Sequence, residues 1–437
     1  MENIKAWVVS VEMGYGHHRA AYALEKYSDR GILNADRGSF VSEKEKKLWE
    51  KSLSAYNFIS RVKSIPVIGK PVFGLLDRLL HIPSFYPMRD LSQKTFQVSL
   101  LISSIKKGLC QGVLQEIQSE QIPMITSFYA PAIAADIQGN HQVFCIICDA
   151  DINRVWVSPD PYESRIKYFA PCGKAAKRLE AYGVSKDKIY ITGFPLPEEL
   201  IGGKDLEFVK NDLGQRLRFL DPCGKFMSMH GVSVQHFLGE EKCIFKGGRP
   251  LTITYAVGGA GAQKEIAEKI IKSLREKIKK NEVQINLIAG IRKEVFDYFS
   301  VLKRKFDENG KSINICYSSE IKEYFNKFNS LLRDTDILWT KPSELSFFCG
   351  LGIPIIMSPA IGSQEKFNRK WLREIGAGIK QMNPEYTDQW LFDYLNDGRL
   401  AEAAWSGFLK ARKLGIYKID EVLSTGKMEE RSSPLMR

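Results

Sequence analysis

Two blocks of this chain alternate short apolar runs with longer amphipathic ones, and that alternation most limits the folds open to it. In the first block the strand-like runs are 6–11, 124–127, 143–148, 167–170 and 189–192, with a helical pattern at 174–182. In the second they are 252–257, 284–289, 313–316, 337–339 and 354–357. Helical patterns at 263–277, 293–306, 321–332, 343–349 and 365–375 fall between or after them. Short buried strands separated by helix-length stretches argue for parallel sheets covered by helices on both faces. The reading is an α/β chain with two Rossmann-like doubly wound domains, 1–200 and 250–410, facing across a cleft. Ligands in open sheets of this kind sit outside the carboxyl ends of the strands. Residues 201–249 break the rhythm with Gly202-Gly203 and Asp221-Pro222-Cys223-Gly224, and read as a connector plus insertion. Residues 411–437 read as a C-terminal helix and a polar tail that is not expected to be ordered after Lys427.

Each domain is long enough to bury its own core, because the chain has 437 residues. Apolar residues make up 44% and charged residues 26%, a globular balance that argues against a disordered chain. No apolar run approaches the roughly 20 residues needed to span a bilayer. The sequence enters its first strand with no leader pattern, so the expected location is the cytoplasm, or the inner face of the membrane as a peripheral protein. A net charge of +12 favours anionic partners such as phosphorylated substrates and anionic lipid headgroups. Nucleic acid is not an expected partner, because no stacking motif or zinc spacing accompanies the charge. Cys145 and Cys148 spell C-x-x-C inside an apolar run, but a spacing of three puts them on opposite faces of a strand. Reduced core cysteines are the expectation, with no metal and no cofactor.

Residues 42–110 form a basic, aromatic excursion within the first domain. Trp49, Tyr56, Phe58, Phe73, Phe85, Tyr86 and Phe96 are interspersed with lysines and arginines, and 55–62 and 72–80 look amphipathic. Such a segment suits a membrane interface, or helices packed on the domain with a solvated basic face.

Chemistry concentrates in a few turns. Gly14-Tyr15-Gly16-His17-His18-Arg19-Ala20-Ala21 runs from the first strand into a helical pattern. The unpaired N–H groups and partial positive charge of a helix start suit an anion, and a histidine there can take a proton near neutral pH. Tyr255 to Ala262, with Gly258, Gly259 and Gly261, ends a strand and leads toward a helix; such glycines let a diphosphate reach the backbone. Thr340-Lys341-Pro342-Ser343-Glu344 follows the 337–339 strand. Thr340 and Ser343 can cap a helix, and Lys341 can neutralise phosphate. Gln364, Glu365 and Asn368 open the next helix on the same side.

The run from Asp336 through Gly352-Ile353-Pro354 and Gln364-Glu365-x-x-Asn368 to Gly376-Ala377-Gly378 resembles the nucleotide-sugar half of GT-B glycosyltransferases of family 28. The pattern is similar to that of monogalactosyldiacylglycerol synthases and bacterial diacylglycerol glucosyltransferases. Gly290-Ile291-Arg292 matches a turn that relatives place near the base, and Gly14–Ala21, Cys148-Asp149 and Thr192–Pro195 match in the first half.

The resemblance implies an inverting, metal-independent transfer from a UDP-linked sugar to a hydroxyl acceptor, possible lipid acceptors included. It implies that His17, or His18 with the turn shifted by one, acts on the acceptor hydroxyl, with Gly14, Gly16 and Asp149 on the acceptor side. Gly258, Gly259, Gly261, Gly290, Arg292, Thr340, Lys341, Pro342, Ser343, Glu344, Gln364, Glu365 and Asn368 would hold the nucleotide sugar. Two positions depart from the family pattern. The ribose-binding glutamate seven residues before the Gly-x-Pro proline is Phe347 here, with Glu344 about one turn earlier. The family's Thr-His after the third strand reads Ser127-Phe128-Tyr129. A nucleotide-sugar epimerase or hydrolase, or a member that only binds a membrane or partner, stands as the alternative.

Overall fold

The computed structural model describes residues 4–51, 82–139, 141–244, 248–259, 261–308, 310–429, 433 and 435. The amphipathic stretches expected at 55–62 and 72–80 lie outside these residues, as does most of the polar tail beyond 429.

Two six-stranded sheets carry the chain. The first contains β1 (Trp7–Ser10), β2 (Ile32–Asn34), β3 (Met124–Thr126), β4 (Val143–Ile146), β5 (Lys167–Phe169) and β6 (Ile189–Tyr190), in the order β2-β1-β3-β4-β5-β6. The second contains β7 (Leu251–Ala256), β8 (Val283–Gly290), β9 (Ile313–Tyr317), β10 (Ile337–Thr340), β11 (Ile355–Met357) and β12 (Gly378–Lys380), in the order β12-β11-β10-β7-β8-β9. All neighbouring strands are parallel. Their residues are almost all buried, as expected for strands covered on both faces. The GT-B architecture of two doubly wound domains is therefore present.

Strand order sets where sites form. It reverses between β1 and β3 in the first sheet and between β7 and β10 in the second. At such a switch point the loops leave to opposite faces and open a crevice at the strands' carboxyl ends.

Several expectations are corrected. The helix expected over 263–277 is broken into Glu265–Ser273 and Arg275–Lys279. The helix expected over 343–349 is a tight 3₁₀ segment, Glu344–Leu351, stopped by Gly352 at φ +68°. Residues 201–249 hold two 14-residue helices, Glu207–Leu220 and Lys225–Leu238. The first is tied to the second sheet by buried Arg216, which donates to the carbonyls of Thr335 (2.7 Å), Leu351 and Gly352 (both 3.1 Å). The helix Gly415–Thr425 crosses back to the first domain, where Tyr27 donates to Asp420 (3.3 Å) and Tyr190 to the Gly426 carbonyl (3.1 Å). All eight cysteines are free, and Cys145 and Cys148 are core residues.

The described part of the basic excursion divides its aromatic residues. Trp49 is buried near Phe128, whereas Tyr86, Met88, Phe96 and Leu100 are more than half exposed. Phe96 and Leu100 lie on the helix Phe96–Lys106, close in sequence to exposed Arg89, Lys94, Lys106 and Lys107.

Candidate functional site

The first switch point presents an imidazole. Gly14, at φ +117°, turns the chain from β1 into the helix Tyr15–Tyr22. This places His17 above the end of β3, with Nδ1 2.6 Å from the Ser127 carbonyl oxygen. A carbonyl only accepts, so Nδ1 carries the proton and Nε2 keeps its lone pair. Phe128 stands edge-on to the ring at 4.9 Å between centroids, and Trp156 lies at 6.1 Å. Burial holds the His17 pKa down to about 4, against the Ser127 hydrogen bond that raises it. The ring is neutral at pH 7, the form a proton acceptor needs. His18 is likewise pushed down by burial; its charged neighbour is Asp36. The departure at Ser127 costs nothing in this contact, because its backbone makes it.

The second switch point brings the Gly258 turn after β7 against Lys341 after β10. A Cβ on Gly258 would lie 2.1 Å from Lys341 Cε, so the bare backbone makes room for the lysine chain. Lys341 Nζ is 2.6 Å from Glu365 Oε1. Glu365 Oε2 in turn accepts from the Ile361 N–H (2.6 Å) and the Gly362 N–H (3.3 Å), closing the start of helix Ser363–Glu374. The cation expected to meet phosphate is thus held by a carboxylate. Gln364 follows on the first turn of that helix.

Other expectations at this switch point change. The capping roles expected of Thr340 and Ser343 are not made: Thr340 Oγ1 donates to the Ala256 carbonyl (3.1 Å), and Ser343 makes no side-chain cap bond. Pro342 is buried between them. The helix after the glycine turn starts at Glu265, and the Gly261 N–H is spent on the Gly258 carbonyl (2.7 Å). That turn offers fewer free donors than a helix start abutting Gly258–Gly261 would.

Three of the ties that join the lobes lie at this site. Asn368 Nδ2 donates to Asp149 Oδ1 (2.8 Å), and its Oδ1 accepts from the Ala150 N–H (2.7 Å). Arg19 Nε lies 3.3 Å from Glu344 Oε1, and Arg19 donates to the Tyr324 hydroxyl (2.7 Å). Its guanidinium also stacks over Phe325 and Phe328, at 4.5 and 4.4 Å from the ring centroids. The Ile291 N–H donates to the Tyr15 hydroxyl (3.0 Å), beside Gly290 at φ +68°. Arg292 Nε reaches the Gly259 carbonyl (2.8 Å). Gly16 is where the helix passes closest to Glu344: a Cβ there would lie 3.3 Å from Glu344 Cβ.

Phe347 is buried, stacked on Phe194 (5.4 Å, 9°) and packed on Trp371 (5.0 Å). It belongs to the core. Glu344 is the carboxylate this segment brings to the cleft. Arg19, Tyr15 and Tyr324 are absent from the sequence-based site; a basic residue four places into a short helix was their only signal.

Asp149 carries a pKa raised to about 6, chiefly by burial, with Glu344 and Glu365 adding to the rise and the Asn368 hydrogen bond opposing it. A carboxyl whose folded pKa is raised holds its proton more tightly when folded. Stability is therefore lost as pH rises from the unfolded value near 4 through about 6. Asp149→Asn keeps an acceptor for Asn368 and removes the charge. We expect it to stabilise the chain at pH 8 by at most about 3 kcal/mol, less in so far as water reaches the carboxyl, and to be neutral at pH 4. Urea unfolding at the two pH values checks this; equal effects at both would refute it.

Among the described residues, no three His, Cys, Asp or Glu side chains come together as a metal site. No helix among them is long and apolar enough to cross a membrane. An open depression lined by Phe296, Ser300, Arg304, Asp307 and Ile315 runs along the helix Lys293–Phe306 beside β9.

A family described as a domain of unknown function, DUF6938, matches residues 244–310 and 293–419. The processive diacylglycerol beta-glucosyltransferase of Bacillus subtilis (strain 168) is 21% identical over 238 residues, covering 54% of this chain and 50% of its own length. The chain thus spans about half the length of the curated relatives it matches. The S. aureus MnaA–UDP co-structure aligns over 98% of this chain and 99% of its own at 11% identity, with a TM-score of 0.48. Acinetobacter baumannii MurG aligns over 96% and 99% at 13% identity, with a TM-score of 0.44. The likeness to diacylglycerol glucosyltransferases read from the motifs is thus also found by comparison over half the chain.

Proposed function

We propose that this chain transfers a hexosyl group from a UDP-linked donor to a lipid hydroxyl, with inversion and without a metal ion. One observation carries the reading: the helix that presents His17, with its free Nε2, meets the second lobe at Gly259 and Glu344, while Asn368, on the same helix as the Lys341 partner Glu365, joins the lobes at Asp149. Nε2 of His17 takes the acceptor proton as its oxygen attacks the anomeric carbon. The bond from that carbon to the diphosphate breaks, and the charge passes to the leaving phosphate. The amides of Gly258 and Gly259 together with Lys341 meet that charge; stabilisation of this kind is often the largest single term in catalysis. Lys341 must exchange Glu365 for phosphate, which frees the carboxylate for a sugar hydroxyl. A bound diphosphate also adds negative charge, which raises the His17 pKa toward the working pH.

The exposed Tyr86, Met88, Phe96 and Leu100, interspersed with Arg89, Lys94, Lys106 and Lys107, support a lipid acceptor met at an anionic membrane surface. That surface would be the inner, cytoplasmic face.

Labelled UDP-glucose, incubated in EDTA with and without vesicles containing diacylglycerol and anionic phospholipid, tests the reading. The expected product is labelled lipid, formed only with vesicles. Free sugar or an epimerised nucleotide sugar, formed without vesicles, would instead establish a hydrolase or epimerase.

A further inference from the structure

The crevice at the carboxyl ends of β7 and β8 is already filled, and by a residue of the opposite lobe. Tyr15, the first residue of its helix, lies between the two glycine turns. A Cβ on Gly259 would meet its ring at 3.7 Å, and one on Gly290 would meet its oxygen at 2.4 Å. At Gly290 only a bare backbone leaves room for the tyrosine, whereas a Cβ at Gly259 would rest in ordinary contact with the ring. Tyr324 and Phe325 pack beside it, at 5.2 and 6.3 Å between centroids. Its oxygen accepts from the Ile291 N–H, the kind of backbone donor that reads a heterocycle's carbonyl. The ring is buried. A planar ring with one acceptor at its edge, in a glycine-walled crevice at the end of a doubly wound sheet, has the shape and polarity of a pyrimidine base.

We propose that Tyr15 is an internal stand-in for the donor's base, and that a nucleotide binds only after the Tyr15–Tyr22 helix withdraws it. This rests on the reading that the cleft takes a nucleotide sugar. The neighbouring contacts act in the same direction. Arg19, one turn along the same helix, holds Glu344, and Asn368 is held by Asp149 and Ala150. Several donor-side groups are thus engaged by the first lobe at once. Withdrawal of one helix releases both the ring site and Glu344, so donor entry and opening of the cleft become a single event. Apparent affinity is then reduced by the fraction of molecules that are open.

The test is UDP binding by calorimetry to the full chain and to Tyr15→Phe and Tyr15→Ala, with amide exchange at Ile291 followed in parallel. Tyr15→Phe keeps the packing and removes one hydrogen bond of the closed state, so UDP should bind about threefold to tenfold tighter. Tyr15→Ala should bind tighter still, and Ile291 should exchange faster in both variants without nucleotide. UDP binding that is unchanged or weaker in both variants overturns the stand-in and leaves the nucleotide reading in place. No UDP binding to any of the three proteins, with Ile291 exchange still accelerated, overturns the nucleotide reading and the stand-in with it.

Discussion

Replacing His17 with alanine should lower turnover by about a hundred- to ten-thousandfold, the span that a positioned general base supplies. Donor affinity should stay nearly unchanged. The two effects separate because His17 sits at the β1–β3 switch point, whereas the groups facing the donor come from the second sheet. His17→Asn is the control for folding, since its side-chain N–H can still donate to the Ser127 carbonyl. It should lose as much activity as alanine with a melting temperature closer to that of the parent. The pH profile has a defined sign. In the free protein burial holds the ring's pKa down to about 4, so His17 is neutral at pH 6 to 8 and adds no slope to kcat/KM there. Activity falls on the acid side as the ring protonates, and that limb should vanish in the low residual rate of His17→Ala. Full activity in variants of both His17 and His18 would remove the imidazole from the mechanism.

The second large effect concerns stability. Arg19 and Glu344 form an ion pair with side chains 4% and 10% exposed, joining the first lobe's helix to the 3₁₀ segment after β10. Arg19→Met leaves Glu344 desolvated with no countercharge. Breaking a buried pair from one side costs about 3 to 5 kcal/mol, and the 3.3 Å separation favours the lower figure. Glu344→Gln in the same background should recover most of the loss, because it removes the stranded charge. Urea unfolding of the single and double variants measures the coupling. Strictly additive losses would mean that the pair does not connect the lobes energetically.

How much of this was legible in the sequence depends on sequence distance. The alternation of apolar runs located the long central strands, whose side chains are buried on both faces and therefore read as continuous hydrophobic stretches. It missed β2 and β12 at the sheet edges, whose residues are mostly only half-buried and so give no continuous apolar run. It read 343–349 as a helix because that stretch is mostly apolar; complete burial of Glu344–Leu351 leaves no exposed face to mark the turn type. The glycines and His17 were visible because their chemistry is local: a turn, then a helix start. The partners of Arg19 and Tyr15 were not. They lie 305 and 276 residues away, and nothing in a local window records a contact made only when two sheets face one another. The missing family glutamate was legible as a departure at Phe347. That Phe347 belongs to the core while Glu344 faces the cleft required the packing of Phe194 and Trp371.

The most direct measurement is a crystal structure of the chain with UDP-glucose bound. It should place the diphosphate against the Gly258–Gly261 turn and Lys341, the base where Tyr15 now lies, and the sugar's anomeric carbon on the side of His17 Nε2. A nucleotide held elsewhere on the molecule, or one whose anomeric carbon lies out of reach of any acceptor that His17 can deprotonate, would contradict the account.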